Sequence, residues 1–206
     1  MKNKYKILLI IIIILILILG IMAIVHFKTS KKEADEPIKI LVIIDNSPYE
    51  LKENDSKLKK DLFYELEDIL NESEIDYQKY AEVLAKIFVV DTFSLDTKLN
   101  KYDVGGVDYI LESEKEKYKN ILSDTLYDSI EYNYDGKRNQ ELPLVENIEI
   151  TQCTESKFVF DNEELLSYDI VLKWTYEKDL GYDASALVKV AKVDNLMYIV
   201  SYSPND

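Results

Sequence analysis

The hydrophobic pattern divides the chain into a long apolar run, a part with helical periodicity and a part with strand periodicity. The run begins at Ile7, ends at Val25 and holds no charged residue. At about 1.5 Å rise per residue it would form a helix about 28 Å long. The hydrocarbon core of a bilayer is about 30 Å thick. The pattern therefore predicts a single transmembrane helix over residues 7–25.

The residues around the end of the run favour a permanent anchor over a cleavable export signal. A cleavable signal has an apolar centre of about 7–15 residues, followed by small residues at the cleavage site. Here the run is longer, and the bulky Ile24, Val25 and Phe27 stand where small residues are needed. We therefore expect the segment to remain in the membrane as a signal anchor.

The flanking charges do not decide the orientation of this anchor. Three lysines precede the run and three follow it, so the positive-inside count is tied. Long domains are translocated largely regardless of flanking charge. We expect residues 1–6 to form a cytoplasmic tail, residues 26–37 a juxtamembrane linker and residues 38–206 an extracytoplasmic domain. The opposite arrangement, with a regulatory domain facing the cytoplasm, is the alternative.

Three segments of the domain have helical periodicity. Asp55 and Asp76 are candidate caps for the first two helices. Ser113 and Glu116 form a capping box at the start of the third, and Gly136 marks its end. The apolar stripes are Leu58, Leu62, Phe63, Leu66, Ile69 and Leu70; Tyr77, Tyr80, Ala81, Leu84, Ile87 and Phe88; and Tyr118, Ile121, Leu122, Leu126 and Ile130.

The remaining ordered segments have strand character. A β-branched run at residues 38–44 predicts a strand before the helices, and from Val145 the apolar period becomes two. Asp194 and Asn195 predict a tight hairpin turn between the last two strands. The strands after the helices are predicted at residues 145–151, 157–160, 166–176, 184–193 and 196–202. This order predicts an α+β fold in which three helices pack on a curved antiparallel sheet.

The charge distribution limits the partners of this domain. The first 32 residues carry six of the 25 basic residues and no acidic one, so the rest of the chain sets 39 acidic residues against 19 basic ones. Such an acidic domain repels nucleic acid and anionic lipid headgroups. We therefore expect no nucleic-acid binding. Arg138 is the only arginine, and this lysine bias is typical of an A/T-rich bacterial genome.

The element order over roughly residues 54–204 resembles that of the nuclear-transport-factor-two-like superfamily, also called the ketosteroid-isomerase-like cone fold. The likeness includes a short glycine-containing strand, at Gly105 and Gly106, between the second and third helices. With its anchor, the layout is similar to that of the bitopic assembly factor of type IV secretion systems. The stretches 103–108, 136–143 and 174–183 also resemble those of uncharacterised membrane-anchored proteins of low-GC Gram-positive bacteria.

Residues that would support catalysis or metal binding are scarce. The one histidine, His26, follows the apolar run, and Cys153 is the one cysteine, so neither a histidine-based catalytic triad nor a zinc site can be assembled in the domain. Glu131 to Gly136 have the oxygen spacing of a calcium loop, but Leu142 stands where a bidentate glutamate is required. We expect no catalytic residue, no metal and no cofactor.

Asp91 is the most informative single residue, because it continues the apolar stripe of the second helix inward. The resemblance to the cone fold implies an acidic group in a pocket, where burial would raise the pKa of Asp91 and make it a base. The alternative is a helix-end carboxylate that accepts structural hydrogen bonds. Tyr168, Trp174 and Tyr176 share one strand face and either line the same pocket or fill the core.

These observations favour a non-enzymatic, membrane-anchored extracytoplasmic domain that binds another envelope protein or associates with itself. The membrane contact is the run that begins at Ile7, and abundant tyrosines suit an interface. The second hypothesis is a small-ligand binder or isomerase-like enzyme with a cone-shaped cavity, which would use Asp91.

Overall fold

The computed structural model describes residues 39–204. The expected cytoplasmic tail, transmembrane helix and linker lie outside the described residues. Among the helices that are described, none has the length and apolar character needed to cross a membrane. The chain divides into two compact units, and every element named below belongs to the unit that holds Ile38–Asn133 and Arg138–Asp206.

The fold class is α+β, as predicted, with three helices and a four-stranded antiparallel sheet in the described chain. A separate two-stranded ribbon precedes the helices. Three short 3-10 turns lie between the second and third helices, so the short glycine-containing strand predicted there is wrong. The elements are β1 (Ile40–Ile43), β2 (Glu50–Lys52), α1 (Lys57–Leu70), α2 (Tyr77–Phe93), α3 (Lys115–Ser123), β3 (Val145–Phe160), β4 (Glu163–Tyr176), β5 (Ser185–Val193) and β6 (Leu196–Pro204). The 3-10 turns are Leu95–Thr97, Val107–Tyr109 and Glu112–Glu114.

The four-stranded sheet has the simplest order, β3-β4-β5-β6, with every neighbouring pair antiparallel. The two strands predicted at residues 145–151 and 157–160 are one strand, β3. Its pairing with β4 passes through an irregularity between Ile150 and Gln152 and continues to the hairpin end. The predicted turn at Asp194 and Asn195 is confirmed, because Val193 pairs with Leu196 across it.

The first two helices form where their apolar stripes predict, and their caps differ from each other. Asp76 caps α2 by accepting hydrogen bonds from two backbone N–H groups, as predicted. The cap of α1 is Ser56, whose hydroxyl accepts from the Lys59 N–H at 3.1 Å, so the prediction for Asp55 is wrong. Asp55 is buried instead and pairs with the Lys59 side chain.

The third helix is much shorter than predicted. α3 ends at Ser123, far before Gly136. No side-chain hydrogen bond caps its start, so the prediction of a capping box by Ser113 and Glu116 is wrong. Glu116 pairs with Lys119 along the helix instead. Beyond the helix the chain turns inward to bury Tyr127 completely. The tertiary contacts of Tyr127 thus prevail over the continuing helical pattern.

Helix α2 lies at the centre of the core. It packs against α1 and against all four strands of the sheet. Phe93 lies 4.9 Å from Trp174 between ring centroids, and Phe88 contacts Tyr202. Aromatic pairs of this kind add to the free energy gained by burial. This position explains why nearly every residue of α2 after its first turn is buried.

The ribbon of β1 and β2 is attached to the core by one face. Ile44, Tyr49 and Leu51 are buried. The hydroxyl of Tyr49 lies 2.7 Å from that of Tyr80 and donates to the carbonyl oxygen of Met197 at 2.6 Å. Buried hydroxyls need such partners, and here they connect the ribbon to both α2 and β6.

Candidate functional site

The last turn of α2 places Asp91 in a buried network of charges. Its Oδ1 accepts a hydrogen bond from Lys98 Nζ at 2.7 Å and lies 3.1 Å from Lys59 Nζ. Lys59 also pairs with Asp55 at 2.8 Å. All four side chains are less than a tenth exposed. The network therefore holds two buried cations against two buried anions.

Local sequence brings these four residues together. Asp55 and Lys59 are four residues apart across the first turn of α1, so they share a face. The 3-10 turn Leu95–Thr97 reverses the chain after α2 and returns Lys98 to Asp91, seven residues earlier. Helix–helix packing of α1 against α2 then joins the two pairs.

A glycine loop closes the other side of Asp91. The N–H of Gly106 donates to Asp91 Oδ2 at 2.7 Å. Gly106 has a φ of +80°, and a Cβ at Gly105 would lie 2.0 Å from the carbonyl oxygen of Asp91. Only glycine permits both the left-handed conformation and this close approach. The two glycines singled out in the sequence are thus required by packing against α2.

The electrostatics of the network keep Asp91 ionised. Burial alone would raise its pKa, but Lys59, Lys98 and the Gly106 N–H outweigh burial and lower the pKa. The same pairing raises the pKa of Lys59 against the effect of burial. The raised pKa expected for a base at Asp91 is therefore wrong, since the carboxylate is held in its charged form by two lysines.

A small cavity of about 50 Å³ adjoins the network. It is lined by polar side chains of the network and by Asp108, whose pKa is raised mainly by burial. The buried Tyr109 hydroxyl has no hydrogen-bond partner in the described chain, and the charges of Lys59 and Asp91 act on it. Sites for organic ligands occupy about 300–1,000 Å³, so this cavity has room for water only.

The three aromatic residues predicted beside Asp91 lie elsewhere. Tyr168 and Trp174 are buried in the main core, and Tyr176 is partly buried at its margin. Trp174 also borders a surface cavity of about 490 Å³, together with Lys173 and Asp183. Asp91 does not line this cavity. The structure therefore does not bring the four predicted pocket residues together in one site.

An apolar groove lies between α3 and the sheet, with a volume of about 390 Å³. We call it the α3 groove. Ile121 is 51% exposed at its edge, although the helical stripe predicts a core position for this residue. The rings of Phe158 and Phe160 stack 6.4 Å apart at the end of β3. The lining residues are Phe88, Ile110, Leu111, Ser113, Glu114, Lys117, Tyr118, Ile121, Leu122, Phe158, Phe160, Ile199, Val200, Ser201 and Tyr202.

Tyr118 forms the floor of the α3 groove and links it to the glycine loop. Its hydroxyl donates to the Gly105 carbonyl oxygen at 3.1 Å and lies 2.9 Å from the Thr92 hydroxyl. Sequence reasoning placed Tyr118 in a buried stripe and missed the groove. Periodicity cannot show that the end of β3 comes near β6 and α3, since these segments are distant along the chain.

Two further groups bear on chemistry. Burial raises the pKa of Cys153 to about 12, with Glu82 adding to the shift, so the thiol stays protonated and is a poor nucleophile. Ser156 accepts a hydrogen bond from Lys189 at 3.0 Å and lies 2.9 Å from Ser167. Lys189 is also paired with Asp169, and Ser167 is completely buried, so both partners of Ser156 are engaged in contacts within the sheet.

Within residues 39–204, no group of three or more histidine, cysteine, aspartate or glutamate side chains could hold a metal ion. Comparisons of the chain with known protein families, with curated proteins and with solved structures found no match.

Proposed function

We propose that the chain is a single-pass, membrane-anchored extracytoplasmic domain that acts by protein–protein contact in the cell envelope. The α3 groove is the observation that carries the proposal. It offers a mostly apolar surface that is bordered by Glu114 and Lys117 and open to solvent at Ile121. Exposed apolar surfaces with polar rims mark sites of interaction in soluble domains.

The partner that this surface fits is an apolar segment carried by a basic protein. A groove of this kind receives side chains from a helix or strand, while the polar rim sets the orientation. The excess of acidic residues after residue 32 attracts positively charged partners and speeds their approach. The element order supports a domain of the nuclear-transport-factor-two-like type, which we propose as the fold family.

A small apolar ligand is the second candidate, because the volume of the α3 groove lies in the range of ligand sites. Asp91 does not line the groove, and its pKa is lowered by two lysines. An isomerase-like activity in this groove would therefore have to use another polar residue of its lining, such as Glu114, Lys117 or Tyr118.

Site-specific photocrosslinking of the full chain in its native cells tests the partner hypothesis. A photoreactive residue at Ile121 is expected to yield one discrete adduct, whose peptide carries an apolar segment next to basic residues. The matched control is Leu187 on β5, which is exposed but does not line the α3 groove. Equal adducts from both positions, or none from Ile121, would contradict the proposal.

A carboxy-terminal reporter fusion tests the proposed topology separately. A periplasmic-type phosphatase fused after Asp206 is expected to be active and to sediment with membranes. Activity of a cytoplasm-specific reporter instead would place the domain inside the cell. Fusion protein in the supernatant after cell breakage would contradict the anchor at residues 7–25 without bearing on the groove.

A further inference from the structure

Strand β1 exposes an unusual amount of apolar side chain. Ile40, Leu41 and Ile43 are 43%, 42% and 55% exposed, although all three lie in one short strand. The inner residue Ile44 is buried against the core. A large exposed apolar patch on a soluble domain marks an interaction site, and this patch is separate from the α3 groove.

The backbone of β1 is also open along one edge. In the described chain β1 pairs with β2 alone. The other backbone hydrogen bonds at the two ends of β1 also stay within the β1–β2 hairpin. Natural edge strands are protected by charges, prolines or bulges. Residues 40–43 have neither charge nor proline. The one such feature in β1 is the register shift between Ile40 and Val42, and it leaves Ile40 and Leu41 both exposed.

The charges at the two ends of β1 are complementary under a two-fold rotation. In an antiparallel pair centred on Val42, Leu41 of each strand faces Ile43 of the other. Lys39, just before the strand, and Asp45, in the turn that follows it, would then come to the same end of the pair. Lys39 and Asp45 are exposed and form no ion pair within residues 39–204. Opposite charges facing each other across strands stabilise a pair, whereas like charges destabilise it.

We propose that β1 pairs with β1 of a second copy of this chain, antiparallel and about a two-fold axis at Val42. The pairing joins two hairpins into a four-stranded sheet, buries the exposed Leu41 and Ile43, and forms two Lys39–Asp45 ion pairs. The interface is isologous, as in most homodimers. Because the contact is short, the membrane anchor is needed to raise the local concentration of the chains. This requirement for an anchor is the only part of the proposal that rests on the proposed function.

Disulfide trapping in vesicles tests this proposal with the full chain. One population carries L41C and the other I43C, both in a C153S background, and the two are reconstituted together and oxidised. We expect a mixed disulfide dimer, because opposed Cα atoms in an antiparallel pair lie about 4.5–5.5 Å apart, a separation that a disulfide can span. The matched control mixes Y64C with L187C, which are exposed on α1 and β5.

Charge reversal tests the register. Lys39→Asp or Asp45→Lys alone places like charges opposite each other twice per dimer and is expected to lower the trapped fraction about tenfold. The double variant K39D/D45K restores opposite charges and is expected to recover wild-type trapping. Asp61→Lys on the surface of α1 is the control for a change in total charge.

Ile43→Lys tests the edge itself, because an exposed lysine on a strand edge opposes pairing. This residue is more than half exposed, so its replacement should leave the unfolding transition unchanged while dimers disappear. A dimer that survives Ile43→Lys and both charge reversals would overturn the proposal. So would trapping no greater than that of the control pair. Failure of the chain to float with vesicles would contradict the anchor instead.

Discussion

The Asp91 carboxylate accepts a hydrogen bond from the Gly106 backbone N–H at 2.7 Å, which ties the last turn of α2 to the loop before α3. Asp91 Oδ1 is at the same time paired with two buried lysines. One carboxylate therefore connects α1, α2 and the glycine loop. Replacing Asp91 should therefore lower the free energy of unfolding while leaving the exposed surfaces of the domain unchanged.

Asp91→Asn is expected to destabilise the full chain by about 3–5 kcal/mol, because it removes one anion from a buried network and leaves Lys59 and Lys98 undercompensated. The asparagine NH₂ group would also face either a lysine or the Gly106 N–H, both of which are donors. Urea unfolding measures the loss. Asp68→Asn on the exposed surface of α1 is the control, with an expected change within about 0.5 kcal/mol. An Asp91→Asn chain of wild-type stability would contradict the structural role.

The contribution of Asp91 should depend on pH in one direction. Its pKa in the folded chain lies below the ordinary value of 3.8, so the unfolded chain binds this proton more readily. The stabilisation is complete above pH 3.8 and is lost as the pH falls through the folded-state pKa. We expect the difference in unfolding free energy between wild type and Asp91→Asn to narrow in that acidic range. A difference that stays constant on acidification would show that the effect is not one of charge.

The ionised carboxylate of Asp108 should lower stability at neutral pH, which is the opposite of the effect of Asp91. The pKa of Asp108 is raised, chiefly by burial, with Lys52 opposing and Asp91 adding to the shift. An ionised Asp108 therefore costs stability at neutral pH, and Asp108→Asn is expected to stabilise the chain there. The gain should vanish as the pH falls through the raised pKa toward 3.8, since wild-type Asp108 is then protonated as well. Loss of stability at neutral pH would instead indicate a favourable pairing of Asp108 with Lys52.

Alanine substitutions at two glycines with the same backbone conformation distinguish the cost of backbone strain from the cost of overpacking. Gly106 and Gly181 have φ values of +80° and +78°, so alanine should cost about 1–2 kcal/mol at either from the left-handed conformation alone. At Gly181 nothing lies within 4 Å of the added Cβ. At Gly106 the Cβ would lie 2.5 Å from Thr92 Oγ1 and 2.7 Å from the Tyr118 hydroxyl, so overpacking should add about 1–3 kcal/mol. Thermal unfolding of both variants checks this order, and equal losses would contradict the close contact.

Much of the fold could be predicted from local patterns. The stripe from Tyr77 to Phe88 locates α2, the alternation over residues 166–176 locates β4, and Asp194 with Asn195 locates a hairpin. Each of these signals depends only on the period of one element and on the residues that end it. Errors occurred at element ends, such as the end of α3, where the burial of Tyr127 prevails over helical periodicity.

The candidate sites likewise have some features that the sequence determines and others that depend on the tertiary structure. The sequence alone determined that Asp91 points inward, because its position continues a helical stripe, and that Gly105 and Gly106 mark a tight backbone feature. Only the tertiary structure decided that two lysines lower the pKa of Asp91, since Lys59 and Lys98 come from segments on either side of it. It also decided that Phe158 lies in the same groove as Ile121, 37 residues earlier in the chain. Periodicity acts within an element, whereas electrostatic pairing and cavity shape depend on how distant elements meet.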